Sequence, residues 1–430
     1  MEVSSFQGIR YSQRIVGDLA RVLCPPYDVI TPEQQKLYYE ESSYNAIRLE
    51  FPAESLETTD DRYQRAAITF QQWLRKGILQ LDGVSSFYLH DHRFEYSGEK
   101  KVRRGLIARV KLEPWGNGIY PHEETFPKAK GDRLQLIQAC RANFSPLLSL
   151  YQDSERKIAS ILSEASRAKP IIETSVLSPS ARGIQDEEGE AHTLWTITDP
   201  EIKREISQFL SSQPLYIADG HHRYETALNY QQERAEEQSL TGKEAFKYVM
   251  MELVDFSDPG LIVLPLHRLV RGIVPSILMQ LGDQLRNFFV LEAAPLRAGD
   301  CQLPAGSCLG ILGLQSGSLV VLKRRQDISL EAMMPGNRSQ AYREFDVSIL
   351  NHIILNKVLS GANDLDVAYT VDLKEAHQQI MEGKYQLAFL LKPPQPEMVK
   401  AVADAQDRMP SKSTYFYPKL PAGLIINPLD

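Results

Sequence analysis

The chain is poor in the features that mark several protein classes. Its four cysteines, Cys24, Cys140, Cys301 and Cys308, include no C-x-x-C pair. A disulfide framework is out of place in a chain this long, so reduced thiols in the cytoplasm fit best. No apolar stretch approaches the length that spans a bilayer, and the start, Met1 to Phe6, lacks the basic and apolar regions of a signal peptide. A cytoplasmic protein is expected. No block of Lys and Arg stands out against a formal net charge of -7, so the footprint of nonspecific nucleic-acid binding is missing and no nucleic-acid or membrane partner is expected. Walker A is absent, because Gly242-Lys243 is followed by Glu244. No G-x-G-x-x-G precedes a helix, and no G-x-S-x-G elbow occurs.

What is present is globular. Hydrophobic residues make up 43% and charged residues 24% of the 430, which argues against disorder and for two domains of ordinary size. Tyr63, Ala66, Ala67, Phe70 and Leu74 recur at helical spacing, predicting a helix from Thr59 to Lys76 capped by Thr59 or Asp60 and stopped by Gly77. Ser86 to Tyr96 and Val102 to Leu112 flank the turn Ser97-Gly-Glu-Lys100 and predict a hairpin. Strand and helix signals alternate beyond it, predicting a mixed α/β or α+β fold. The run Gln185 to Glu190 has the composition of a solvated loop. The polar stretch from Glu236 to Lys243 is read as a boundary, dividing the chain into an N-terminal α/β domain over 1–238 and a C-terminal α+β domain over 239–430 that closes a cleft.

Asp219-Gly220-His221-His222-Arg223 follows the apolar strand Leu215 to Ala218 and opens a helix running to about Glu237. A glycine turn lets backbone amides approach a ligand, and a helix start favours an anion. Three consecutive donors add to that preference, so phosphate is the expected guest. The structural alternative has His221 as a helix cap and Arg223 paired with an acid such as Glu225. Both histidines together make a poor metal site, because adjacent helical positions diverge, and no metal-ligating set is expected.

Further clusters surround this one. His122-Glu123 stands in a proline-framed loop followed by Lys130, Asp132 and Arg133. Phe126 occupies the place of the second histidine of an H-E-x-x-H helix, which excludes that zinc motif. Glu123 is a candidate general base toward a substrate hydroxyl, or a member of a surface loop. Cys24-Pro-Pro-Tyr27-Asp28 with Asn45, Arg48 and Glu50 offers carboxylates for Mg²⁺ or a substrate ammonium, or a plain turn with an ion pair. His267 and Arg268, with Lys412 and Lys419 of the tail, are candidate donors to nucleotide phosphates, or a solvated face.

On these residues the chain resembles the domain-of-unknown-function 1015 family over nearly its whole length. The resemblance is carried by Pro25-Pro-Tyr-Asp28, Asn45 to Glu50, His122-Glu123 through Asp132-Arg133, Asn143-Phe-Ser-Pro146, Asp219 to Arg223 and Lys412-Ser-Thr414 to Lys419. Asp219 to Arg223 also resembles the phosphate-binding motif of the ParB/sulfiredoxin superfamily, in particular the free serine kinases. His221 stands where sulfiredoxins carry their cysteine, so sulfinic-acid reduction lacks its nucleophile. The acidic and basic pair of ParB turns is missing as well. What the kinase form implies is a nucleotide-dependent kinase using ATP or ADP with Mg²⁺ on a hydroxyl metabolite such as free serine. His221, His222 and Arg223 would hold transferred or adjacent phosphates, and Glu123, or else Glu50 or Asp28, would take the hydroxyl proton. The alternatives are a nucleotide-binding switch without turnover, taking CTP or ATP, and a phosphohydrolase or nuclease.

Overall fold

A computed structural model describes residues 1–54, 61–125, 127–176, 189–237, 244–295, 303–304, 306–361 and 365–430. It divides into two compact units, one of residues 1–121, 125–262 and 418–430, the other of residues 122–124 and 263–417.

The first unit is organised by one mixed sheet of nine described strands: β1 (Val3–Ser4), β2 (Phe87–Tyr96), β3 (Glu99–Lys111), β4 (Ile119–Tyr120), β5 (Leu147–Tyr151), β6 (Ile172–Val176), β7 (Glu190–Ile197), β8 (Leu215–Asp219) and β9 (Tyr248–Asp255). Their spatial order is β4-β8-β5-β9-β3-β2-β7-β6, with β1 beside β3. β4 with β8 and β5 with β9 run parallel, and the other pairs antiparallel. The β2–β3 hairpin turns at Ser97 and Gly98, whose φ values of 53° and 75° match the twist of the strands.

Alternation along the strands divides the core in two. Tyr88, Ile107, Leu194 and Met250 face α1 (Arg62–Arg75) and α2 (Pro127–Cys140). Phe87, Leu106, Leu147 and Met251 face α3 (Lys157–Ala165), α4 (Pro200–Ser211) and α5 (His221–Glu237). α1 buries Tyr63, Ala66, Phe70 and Trp73, and the expected Ala67 and Leu74 pack partly buried against the same core, so Trp73 is the addition to the inward face. A large buried side chain of this kind contributes roughly 1.5–3 kcal/mol. Asp61 is the residue before the helix, and the expected caps Thr59 and Asp60 lie outside the described residues. Gly77, at φ 70°, ends it as expected.

The expected boundary after 238 falls at residues outside the described set, and the first unit continues past it to Ile262. The reason is β9, an apolar strand inserted between β5 and β3. The chain's last segment also returns to this unit, where Ile426 bridges to Ile9 and Asn427 pairs with Asn143.

The second unit carries an antiparallel sheet of six described strands: β10 (His267–Arg271), β11 (Phe289–Pro295), β12 (Leu309–Leu312), β13 (Ser318–Arg324), β14 (Asp366–Thr370) and β15 (Leu387–Leu390), in the order β11-β13-β12-β15-β10-β14. The expected hairpin around Gln315 to Gly317 is β12–β13. The fold class is therefore mixed α+β, as the alternation implied. The described cysteines, Cys24, Cys140 and Cys308, are free and buried. No described helix is long and apolar enough to cross a membrane.

Candidate functional site

β8 delivers four buried residues, Leu215 to Ala218, and then Asp219. Its register against β5 shifts between Ile217 and Asp219, a bulge that re-aims the acid at the end of the strand. Gly220 follows at φ 99°, and a Cβ there would stand 2.9 Å from Leu147 Cγ and 3.0 Å from Arg223 Nη2. Only glycine fits. The α5 ladder starts with Tyr224 N donating to Gly220 O at 3.0 Å, so the amides of residues 221 to 223 precede it at the positive end of the helix dipole.

Asp219 is the hub of the turn. Lys419 Nζ donates to its Oδ1, and Arg223 Nη2 donates to its Oδ2 at 3.0 Å. Arg223 Nη1 also donates to Ser145 Oγ and to Pro146 O, each at 2.9 Å. Burial opposes ionisation of Asp219, but the Lys419 ammonium and the Arg223 guanidinium outweigh it and hold the carboxyl well below the usual carboxylate range. Burial likewise opposes the charge of Arg223; Asp219, then Asp28 and Glu50, overcome it and raise its pKa. The alternative partner, Glu225, is engaged elsewhere, by Thr125 at 2.6 Å, Lys130 at 2.9 Å and Trp115 at 3.1 Å.

A cavity of about 50 Å³ lies against Arg223, lined among others by Glu50, Arg133, Ser145 and Thr226. Glu50 is buried, and Ser145 Oγ donates to its Oε1 at 3.2 Å. Arg133 Nη1 donates to Glu50 O at 2.7 Å, and its guanidinium lies 4.0 Å over the Tyr27 ring. Asp132 takes Arg62 at 2.7 Å, Tyr63 at 2.6 Å and Arg133 Nε at 2.8 Å. The structure thus gathers Tyr27, Glu50, Asp132, Arg133 and Arg223 from sequence-distant segments. Asp28 beside them is exposed. Arg48 points elsewhere, donating to Tyr39 O at 2.8 Å and stacking on the Tyr39 ring.

His221, buried, and His222, half-buried, stand at the start of α5 in the first unit, and the remaining expected residues lie in the second. His122 is buried, with Nε2 2.9 Å from Thr414 Oγ1, and Glu123 accepts from the Lys412 amide. His267 Nδ1 accepts from Leu391 N at 3.1 Å, and burial pushes this imidazole down to about 4. Arg268, 1% exposed, donates to Leu266 O and to Lys412 O. Burial lowers it to about 10. Both of these side chains are bound to their own unit's backbone, which is why neither reads as a solvated face.

A second polar cluster in the first unit escaped the sequence reading. His90 and His92 on β2, Arg103 on β3, His192 on β7 and Glu252 on β9 are all buried on the Tyr88 face of the sheet. Burial first, then the Arg103 guanidinium, holds His92 well below the ordinary imidazole pKa, and burial with the neighbouring histidines does the same to His192. The available signal was the His90-x-His92 alternation, which puts both rings on one strand face.

The chain belongs to the family described as "Protein of unknown function (DUF1015)", which matches residues 3–348. No curated protein matches it. Among solved structures it is similar to a free serine kinase in complex with AMP, at 12% identity and a TM-score of 0.36, covering 72% of this chain and 86% of that one. It is also similar to a conserved hypothetical protein from Pyrococcus furiosus, at 13% identity and a TM-score of 0.35, covering 73% and 93%. SbnI from Staphylococcus aureus, truncated at its C-terminus, is similar at 11% identity and a TM-score of 0.33, covering 72% and 82%.

Proposed function

We propose that the Asp219 to Arg223 turn binds the phosphates of a nucleotide, and that the chain transfers a phosphoryl group from ATP or ADP to the hydroxyl of a small metabolite, with free serine as the first acceptor to test. The observation that carries this reading is the sharing of one carboxylate, Asp219, by two cations, Lys419 and Arg223, at the start of α5. At Asp219 itself two cations meet one anion beside a helix N-terminus, with Asp28 and Glu50 acting on Arg223 more weakly than Asp219 does, which is chemistry suited to phosphate oxygens. His221 and His222 add ring nitrogens to the same turn.

In the reaction the acceptor oxygen attacks the terminal phosphorus, the bond from that phosphorus to the leaving nucleotide oxygen breaks, and the hydroxyl proton passes to a carboxylate. Glu123 is assigned that proton, His222 the transferred phosphate, and Glu50, on the wall of the Arg223 cavity, is the alternative base. Mg²⁺ would supply charge neutralisation between phosphates, and the carboxylates of Asp28 and Glu50, both close enough to influence Arg223, are of the type that holds it. Positioning and electrostatics then provide most of the rate. Incubation of the pure protein with ATP or ADP, Mg²⁺ and free serine should yield phosphoserine by mass spectrometry. Absence of any phosphorylated product across a panel of hydroxyl metabolites refutes the transfer.

A further inference from the structure

On the Tyr88 face of the first unit's sheet, His92 stands opposite His192, and His90 opposite Leu194 on one side and Gly105 on the other. The hydrogen bonds run in series. Glu252 Oε2 lies 2.9 Å from His90 Nδ1, and His90 Nε2 lies 3.1 Å from His192 Nδ1. A carboxylate accepts, so His90 carries its hydrogen on Nδ1, its Nε2 accepts from His192 Nδ1, and the lone pair of His192 falls on Nε2. His92 Nε2 lies 2.8 Å from Glu190 Oε2, and the rings of His92 and His192 are 4.3 Å apart between centroids.

We propose that His92, His192 and Glu190 bind one divalent transition cation of the zinc class, with His90 and Glu252 as the outer pair that orients His192. One donor atom from each of the three ligands lies within 4.8 Å of the other two. Tetrahedral zinc with bonds of about 2.0–2.2 Å needs its ligand atoms roughly 3.3 Å apart, so adjustments of about an ångström complete the set. Two imidazoles and a carboxylate suit zinc and its neighbours rather than Mg²⁺ or Ca²⁺, and three protein ligands leave a fourth position for water. The Glu252–His90–His192 series is the outer-shell arrangement that fixes a ligating imidazole.

Charge points the same way. Glu252, Asp258 and Glu190 all act on the buried guanidinium of Arg103, while Asp91 is taken up by Arg104 at 2.7 Å. Glu252 is fully buried, and its Oε1 has no hydrogen-bond partner. A divalent cation offsets that excess of carboxylate. His92 is the ligand that must adjust, since Arg103 Nη2, 3.2 Å from its Nδ1, can only donate and so keeps the ring hydrogen on Nε2. Cation binding moves this hydrogen to Nδ1 and opens the contact, while Arg103 keeps its bond to Pro418 O at 2.8 Å.

The test uses the full chain, stripped with chelator and titrated with Zn²⁺ by calorimetry and with Co²⁺ by visible absorption. One cation per chain is expected, with Co²⁺ bands of a low-coordinate nitrogen and oxygen site. Glu190→Gln, an isosteric change at the least buried ligand, should weaken binding by about 100-fold or more, and Glu252→Gln by about 10–100-fold. Circular dichroism confirms folding of each, and Glu190→Gln decides the matter if Glu252→Gln does not fold. Failure of the wild type to take up a stoichiometric cation overturns the site, as does equal affinity of the Glu190→Gln protein. Neither result bears on the proposed phosphoryl transfer.

Discussion

At the Asp219 turn two cations, Lys419 and Arg223, share one carboxylate; on the Tyr88 face of the sheet two carboxylates, Glu190 of β7 and Glu252 of β9, act on one buried guanidinium, Arg103. Both clusters lie in the first unit, both lean on a short polar network, and the last segment of the chain serves each of them. Pro418 O accepts from Arg103, and the next residue, Lys419, donates to Asp219. The sign of the excess charge differs, and with it the ligand each cluster suits, an anion at the turn and a cation between the histidines. Burial alone does not separate them. What separates them is which sign of charge is in surplus around the shared group.

The largest expected effect comes from reversing the surplus at the turn. Arg223→Glu should remove nucleotide binding by more than about 1000-fold in calorimetry, since it sets a second acid against Asp219 and withdraws one of the two cations. Glu123→Gln should leave nucleotide affinity within about threefold and lower phosphoserine formation by about 10²–10⁴, with Glu50→Gln as the parallel test of the alternative base. A protein that binds without turnover would be indifferent to both.

Asp219→Asn should cost about 3 kcal/mol in denaturant unfolding at pH 7, because it leaves Lys419 and Arg223 without their anion at a site where Asp219 is only 18% exposed. Its carboxyl is depressed in the fold, so this stabilisation is present above the unfolded carboxylate pKa and fades as the pH falls through the lower folded value. The wild type and the variant should therefore converge in acid. The histidine cluster responds in another window. His92 and His192 are depressed bases, so the unfolded chain binds more protons than the fold below the ordinary imidazole pKa. In the metal-free chain stability should fall as the pH drops below about 6.5, by up to about 1.4 kcal/mol per pH unit for each ring, and His192→Gln should flatten the slope.

The same comparison explains what was legible in the sequence. The turn is local: β8, Gly220 and the first turn of α5 are adjacent in the chain, so apolar run, glycine and donors could be read together. The α1 face and the Ser97-Gly98 hairpin were readable for the same reason, their spacing being set by helical and strand periods. The histidine cluster is not local. His90 meets His192 across 102 residues and Glu252 across 162, and only the pairing of β2 with β7 and the insertion of β9 beside β3 bring them to one face. Lys419 reaches Asp219 across 200 residues, which no spacing rule anticipates. The difference between the expected boundary and the extent of the first unit has a related cause. A polar stretch before an apolar strand has the composition of a linker, and the partners of β9 that cancel this reading, β3 and β5, stand more than a hundred residues earlier for β3.

The most direct test of the central claim is calorimetric titration of the wild-type full chain with ATP and with ADP in the presence of Mg²⁺, against the Arg223→Glu protein. A single saturable site in the wild type, absent from the variant, is the predicted result. No saturable binding of either nucleotide, or equal binding by both proteins, would contradict the assignment of the Asp219 to Arg223 turn as a phosphate site.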